Sequence, residues 1–307
     1  MAPQIHPTAV VHSGAELGVD IEIGPYTVVG PKVRVGDRTR IGAQVVIDGV
    51  VKIGEDNIIV GQASLGGSPQ DLSYRGEDTL LEIGDRNTIR EFVTINRGTI
   101  KGGGVTRIDN DCLLMACCHV AHDCHIEDEV ILGNNVLLAG HVFVRRRANV
   151  SGAAAAHHFV TIGANAYVGG LTRVIQDVPP FMILEGHPSR IRGVNKIGLG
   201  RSGYDEEQIA ELSTAYRELF RSKEPRMQVL ERFRETAPTE GLVAELVEAL
   251  TRTGMGDKGR YRESLRDEFR AAGEKLILPA PRVDSAKQAL PKTEGEKPNP
   301  TVTPRVQ

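Results

Sequence analysis

From Ile5 to Ile59 an aliphatic side chain returns at every sixth position: Ile5, Val11, Leu17, Ile23, Val29, Val35, Ile41, Ile47, Ile53 and Ile59. The beat pauses, then runs again from Ile108 through Leu114, Val120, Ile126, Leu132 and Leu138 to Val174. The fifth residue of each hexad is small or β-branched, as in Cys112, Val130, Ala148 and Thr172. A helix of period 3.6 cannot keep a six-residue repeat on one face, and plain strand alternation does not predict one. Three short strands per turn of a triangular coil do. The pattern predicts a parallel β-helix whose coils bury their interior by stacking on one another.

Repeats of this kind resemble those of left-handed coils, an exception to the right-handed crossovers of ordinary parallel sheets. Three hexads make one coil, so residues eighteen apart fall in one column about 4.8 Å apart, the spacing of paired strands. His122 then lies under Gly140 and Gly140 under His158, while Asp123 lies under His141, with Phe159 above it. The third and fourth hexad positions face outward. That predicts one exposed patch shared by His122, Asp123 and His141, with the Gly140 backbone beside it.

Two stretches break the phase. Residues 66–76 lack apolar content and are expected to leave the coil as a loop before Ile83, Ile89 and Ile95 resume the beat. Residues 96–106 contain Gly102, Gly103 and Gly104 without the strand-to-helix setting or the Gly-Lys-Ser/Thr ending of a phosphate loop, and read as a flexible surface loop. Pro179 and Pro180 end ladder pairing, which places the β-helix over 1–180. Residues 181–203 lack a period and read as a connector. From Tyr204 the period is helical: Ile209, Leu212, Tyr216, Leu219 and Phe220 form one stripe behind an Asp205 N-cap. Met227, Leu230 and Phe233 mark a second helix, Leu242 to Leu250 a third, and residues 260–272 a fourth. This helical C-terminal domain spans 204–278, and the Pro, Lys, Thr and Glu content after it reads as a disordered tail over 279–307.

Composition sharpens this. Aromatic residues are 4% with no Trp, while glycine numbers 34 in 307 residues, which suits a narrow interior of Val, Ile, Leu and Ala with glycine at the corners. A formal net charge of −3 gives no ground for nucleic-acid binding. No apolar run approaches the roughly 20 residues of a membrane span. The first residues, Met1 to His6, lack signal-peptide character, so a soluble cytoplasmic protein is expected. Cys112, Cys118 and Cys124 stand six apart at the inward fifth position, which predicts buried small side chains. A zinc site from Cys118, His119, His122, Cys124 and His125 is the competing reading. The hexad turns the sulfurs inward and His122 outward, whereas a metal needs converging ligands, so neither metal nor cofactor is expected.

An outward histidine followed by aspartate, beside a glycine backbone, is a minimal acyl-transfer toolkit. His122 can take a proton from a hydroxyl or amine, a carboxylate can hold its tautomer, and the Gly140 N–H can meet an oxyanion. Asp123 points to either His122 or a substrate group. No serine or cysteine stands beside this histidine in a nucleophile elbow, which favours direct transfer in a ternary complex.

Longer motifs add a resemblance. Ser68-Pro-Gln-Asp-Leu-Ser-Tyr74, Thr94-Ile-Asn-Arg-Gly-Thr99, His119-Val-Ala-His-Asp-Cys124, Leu138-Ala-Gly-His141, Gln176-Asp-Val-Pro-Pro180 and Gly193-Val-Asn195 occur in order. Over residues 1 to about 250 the chain resembles the acyl-carrier-protein–UDP-N-acetylglucosamine O-acyltransferases, which begin lipid A synthesis. The resemblance implies a left-handed β-helix with a helical C-terminal domain and transfer of a 3-hydroxyacyl chain from acyl carrier protein to the sugar 3-hydroxyl. By position it implies His122 as general base, Asp123 as its orienting partner and Gly140 as oxyanion donor. Gln70, Asp71, His119, His141 and His157 match positions lining the sugar-nucleotide and acyl sites, Asn195 and Arg201 match the connector that meets the nucleotide, and Gly170 matches the acyl ruler. It further implies a homotrimer with sites between subunits. Ser73, Asn96, His158 and Ser202 depart from the family's usual residues.

Basic clusters at Arg145 to Arg147, and at Arg217, Arg221 and Lys223, are candidate landing sites for an acidic acyl carrier protein, or simply solvated charge. Rival functions are acylation of a 3-amino UDP-sugar, acetyl-CoA-dependent acetylation of another nucleotide sugar, a zinc-binding coil resembling carbonic anhydrase, and a non-catalytic scaffold.

Overall fold

The computed structural model describes residues 3–236 and 239–276. Strands of two to five residues pair eighteen apart through much of the coil: Val28 with Val46, His119 with Leu137, Leu137 with Ala155. Among the described residues they form three sheets of 11, 9 and 8 strands, one for each face of a triangular prism, parallel in every pairing but the last. Val120, Ile126, Leu132, Leu138 and Val144 are wholly buried, as are the fifth-position Cys118, Val130, Val136 and Ala148. Each such aliphatic side chain contributes about 1.5–3 kcal/mol by leaving water. Cutting Leu132 back to Ala opens a cavity in a single-file core and costs about 2–5 kcal/mol.

The corners are not turned by glycine. Left-handed backbone falls on the fourth hexad position, whatever its side chain: Cys117, Asp123, Glu129, His141 and Phe159 have φ of 62°, 62°, 58°, 65° and 64°. Glycine recurs instead at the second position, for want of space. A Cβ on Gly24 or Gly36 would lie 2.6 Å from the carbonyl carbon of Gly42 or Gly54 in the next coil.

The loop at 66–76 leaves the prism after the strand Ser64–Gly67. Arg97 holds it, donating to the Gly66 carbonyl (2.6 Å) and the Tyr74 hydroxyl (3.1 Å). The excursion at 96–106 is packed, contrary to the flexible surface loop its glycines suggest. Asn96, Thr99 and Thr106 are buried, and a 3-10 turn, Ile100–Gly102, is capped by the Thr99 side chain. Pro179 and Pro180 do not end the sheet either. Met182–Glu185 still pairs parallel with Tyr167 and Val168, and Arg190–Val194 returns antiparallel as the edge. The connector therefore closes the prism with a hairpin.

Among the described residues five α-helices follow: α1 (Lys196–Arg201), α2 (Glu206–Arg221), α3 (Arg226–Thr236), α4 (Leu242–Met255) and α5 (Arg266–Leu276). Asp205 and Gln208 close a capping box on α2. Leu212, Leu219, Leu230, Leu246 and Leu250 share a second core with Phe181 and Met182 from the end of the prism. On α3 the inward pair is Val229 and Leu230; Met227, assigned to the stripe from spacing, is exposed. No described helix is long and apolar enough to cross a membrane. The tail expected from residue 279 lies outside the described residues.

Candidate active site

The column arithmetic sets the imidazole of His122 on Gly140. A Cβ at Gly140 would stand 2.6 Å from His122 Cε1 and 2.9 Å from Nε2, so the ring fills the place of the missing side chain. At some third hexad positions the amide is capped by a side chain from the next coil: Val19 by Asp37, Glu55 by Asp85, Asn110 by Asp128, each at 2.8 Å. Among the described residues no acceptor meets the Gly140 N–H. A free, fixed donor therefore stands beside the ring, as an oxyanion requires.

Asp123 turns toward His122. Its Oδ2 lies 2.7 Å from His122 Nδ1, an arrangement that puts the ring proton on Nδ1 and leaves the Nε2 lone pair free. Thr99 fixes the carboxylate twice, its N–H donating to Oδ1 (2.7 Å) and its hydroxyl to Oδ2 (2.6 Å). The Asp123 N–H donates to Thr106 Oγ1 at 2.8 Å. His141 stands edge-on to His122, ring centres 5.3 Å apart, and stacks on Phe159 at 4.2 Å. Burial, outweighing the nearby Asp123 carboxylate, holds its pKa down at about 4, so it is a neutral ring at physiological pH.

The expected exposed patch is covered. His122, Asp123 and His141 are 7%, 3% and 8% exposed, although they occupy outward positions. One cover is the Ile100–Gly102 turn, where a methyl on Gly102 would strike the Asp123 carboxylate. The other comes from beyond α4. Arg262 Nε donates to the His141 carbonyl at 3.3 Å, with its guanidinium 5.0 Å from the Phe143 ring centre. Spacing in the sequence gives no warning of either.

Of the other expected site residues, some gather here. His119 sits half-buried on the same sheet with Nδ1 2.8 Å from Thr94 Oγ1; burial, then the nearby His122, lowers its pKa. Asp71 reaches the turn through Lys101 (3.1 Å). Burial raises its pKa, but the Ser73 N–H and hydroxyl and the Lys101 ammonium outweigh that and hold it well below the usual carboxylate range. Ser73 therefore sets the Asp71 conformation. Gln70 is exposed beside it, and His157 is exposed with its ring edge-on to His158 at 5.3 Å.

Among the described residues, Gly170, Asn195 and Arg201 make no hydrogen bond to this cluster. Gly170 is exposed, and a Cβ there would make a tight contact, 3.2 Å from Gly152 O. Asn195 caps α1 through the Gly198 N–H and donates to the Asn165 carbonyl, and Arg201 is exposed at the end of that helix. Sequence reasoning assigned no role to Thr99, Thr106 or Arg262. Thr99 did close one of the motif segments, which was the only available signal for it.

The inward cysteines point away from the histidines. Cys112, Cys118 and Cys124 direct their thiols to the Glu127, Gly133 and Ala139 carbonyls, and burial pushes their pKa values up to about 12, 11 and 12. His125 pairs with Asp109 at 2.8 Å, so the five-residue zinc set does not converge. The donor atoms of His122, Asp123 and His141 do lie within 4.8 Å of one another. The Asp123 oxygens, however, already accept from Thr99 and His122, which suits a proton relay better than a metal ligand. Arg145, Arg146 and Arg147 are paired with Glu127, Glu245 and Glu129 on the surface.

A family profile described as UDP-N-acetylglucosamine O-acyltransferase, domain 2, matches residues 177–258, and a bacterial transferase hexapeptide profile matches residues 106–140. The chain is 48% identical over 237 residues to the acyl-[acyl-carrier-protein]–UDP-N-acetylglucosamine O-acyltransferase of Synechocystis sp., an alignment covering 77% of this chain and 86% of that protein. The enzyme of the same name from Stenotrophomonas maltophilia is 47% identical, over 77% of this chain and 90% of its own. The crystal structure of a UDP-N-acetylglucosamine acyltransferase from Bacteroides fragilis superposes with a TM-score of 0.78 at 35% identity, over 81% of this chain and 97% of that one.

Proposed function

Since this chain belongs to the acyl-[acyl-carrier-protein]–UDP-N-acetylglucosamine O-acyltransferases, left-handed parallel β-helices with a helical C-terminal region, we propose that His122 is the base on which its reaction turns. The reaction moves an acyl group from acyl carrier protein to a hydroxyl of UDP-N-acetylglucosamine, the first step of lipid A biosynthesis. His122 Nε2 takes the proton of the acceptor hydroxyl, and the freed oxygen adds to the thioester carbonyl. The tetrahedral oxyanion is met by the Gly140 N–H. Collapse expels the thiolate, which recovers the proton from the imidazolium, and Asp123 holds Nδ1–H throughout. The observation that carries this reading is the His122 ring lying on Gly140 with Asp123 locked to its far nitrogen.

The finer assignments are a 3-hydroxyacyl donor and the sugar 3-hydroxyl as acceptor, with Gln70, Asp71, His119, His141 and His157 lining the substrate sites. Gly170 leaves room for the acyl end, and Asn195 and Arg201 meet the nucleotide. Among the described residues the last three make no hydrogen bond to the His122 cluster within one chain, which fits sites that combine residues of two subunits, and the proposed assembly is a homotrimer in the cytoplasm. Incubating the protein with hydroxy and 3-amino UDP-sugars, and with acyl-carrier-protein and CoA thioesters, tests the substrates by product mass. Ester formation from the hydroxy sugar and the carrier-protein donor is expected; amide formation or CoA dependence would replace this reading. Sedimentation is expected to give three chains.

A further inference from the structure

Thr99 is the group nearest the catalytic pair that the expected mechanism leaves unused. Its N–H and hydroxyl donate to the two Asp123 oxygens at 2.7 and 2.6 Å, and all of these groups are buried. A carboxylate with one lone pair on each donor and the remaining Oδ2 direction on His122 Nδ1 has no freedom to rotate. We propose that Thr99 is a positioning residue for the transfer. It acts through Asp123, rests on the reading of His122 as base, and touches neither substrate. Thr99→Val removes the hydroxyl at constant shape, and Thr99→Ser restores it. A 10- to 100-fold fall in kcat with KM unchanged for both substrates is expected for the Val variant, with recovery in the Ser variant, a fraction of what acid–base catalysis supplies. In an Asp123→Ala background the same substitution should have no further effect on kcat. Equal losses in both backgrounds, or a loss confined to thermal stability, would show a merely structural threonine. If Asp123→Ala alone leaves kcat intact, the reading of the pair fails instead.

Discussion

Oδ2 of Asp123 lies 2.7 Å from Nδ1 of His122, a bond between neighbours in the chain. Adjacent residues in a strand point to opposite faces. Here Asp123 sits on a corner with φ 62°, and the left-handed turn brings its carboxylate back beside the preceding ring. Asp123→Asn keeps the size and the corner but offers an amide where Nδ1–H needs an acceptor. A fall in kcat of roughly 10²–10⁴ is expected from the wrong tautomer, with KM little changed. Steady-state kinetics with both substrates varied will read it.

Gly140 is confined more tightly than its proposed role as amide donor alone requires. In Gly140→Ala the new methyl would stand 2.6 Å from His122 Cε1, so the ring must leave its place. Activity should fall at least 100-fold while circular dichroism and the melting temperature change little, because the methyl points out of the core. Full activity in a folded Ala variant would separate the ring from its proposed seat.

His141 ties stability to pH. Its folded pKa, about 4, lies below the ordinary histidine value near 6.5, so the unfolded chain binds the proton more readily between the two. Its contribution is therefore complete above about pH 6.5 and is lost as pH falls toward 4, on the order of 3 kcal/mol in all. Asp177, raised by burial to about 6, acts with the opposite sign, its contribution being lost as pH rises from the ordinary aspartate range toward 6. Comparing wild type with His141→Gln cancels the second effect. The melting temperature of the wild type should fall relative to the variant between pH 6.5 and 4, and parallel curves would refute the assignment.

The oxygens of Asp123 are already taken by Thr99 and His122, so turnover should survive removal of metal. Dialysis against EDTA, followed by assay and by elemental analysis of the protein, is expected to leave kcat unchanged. Loss of activity restored by zinc would turn the His122, Asp123 and His141 cluster into a metal centre.

The prism was legible because its period repeats some two dozen times, and a column rule of eighteen then delivers contacts such as His122 on Gly140 by arithmetic. The rule covers only what stays in phase. Residues 96–106 leave it, so the burial of Thr99 and its grip on Asp123 could not be read from spacing. Arg262 and α5 return to the site from some 120 residues downstream, and no local pattern announces that. The hairpin Met182–Glu185 and Arg190–Val194 was missed because two short strands with a proline-rich start carry too little alternation. The ion pairs of Arg145 to Arg147 with Glu127, Glu245 and Glu129 were not legible because those carboxylates are a coil or a domain away.

The central claim is that one imidazole activates the acceptor. Mass spectrometry of the product from UDP-N-acetylglucosamine and an acyl-carrier-protein pool measures it directly, run side by side with wild type and His122→Ala at equal folded concentration. The wild type should yield the sugar nucleotide carrying one added hydroxyacyl group, and the variant at most about a thousandth as much. Comparable product from the variant would contradict the account.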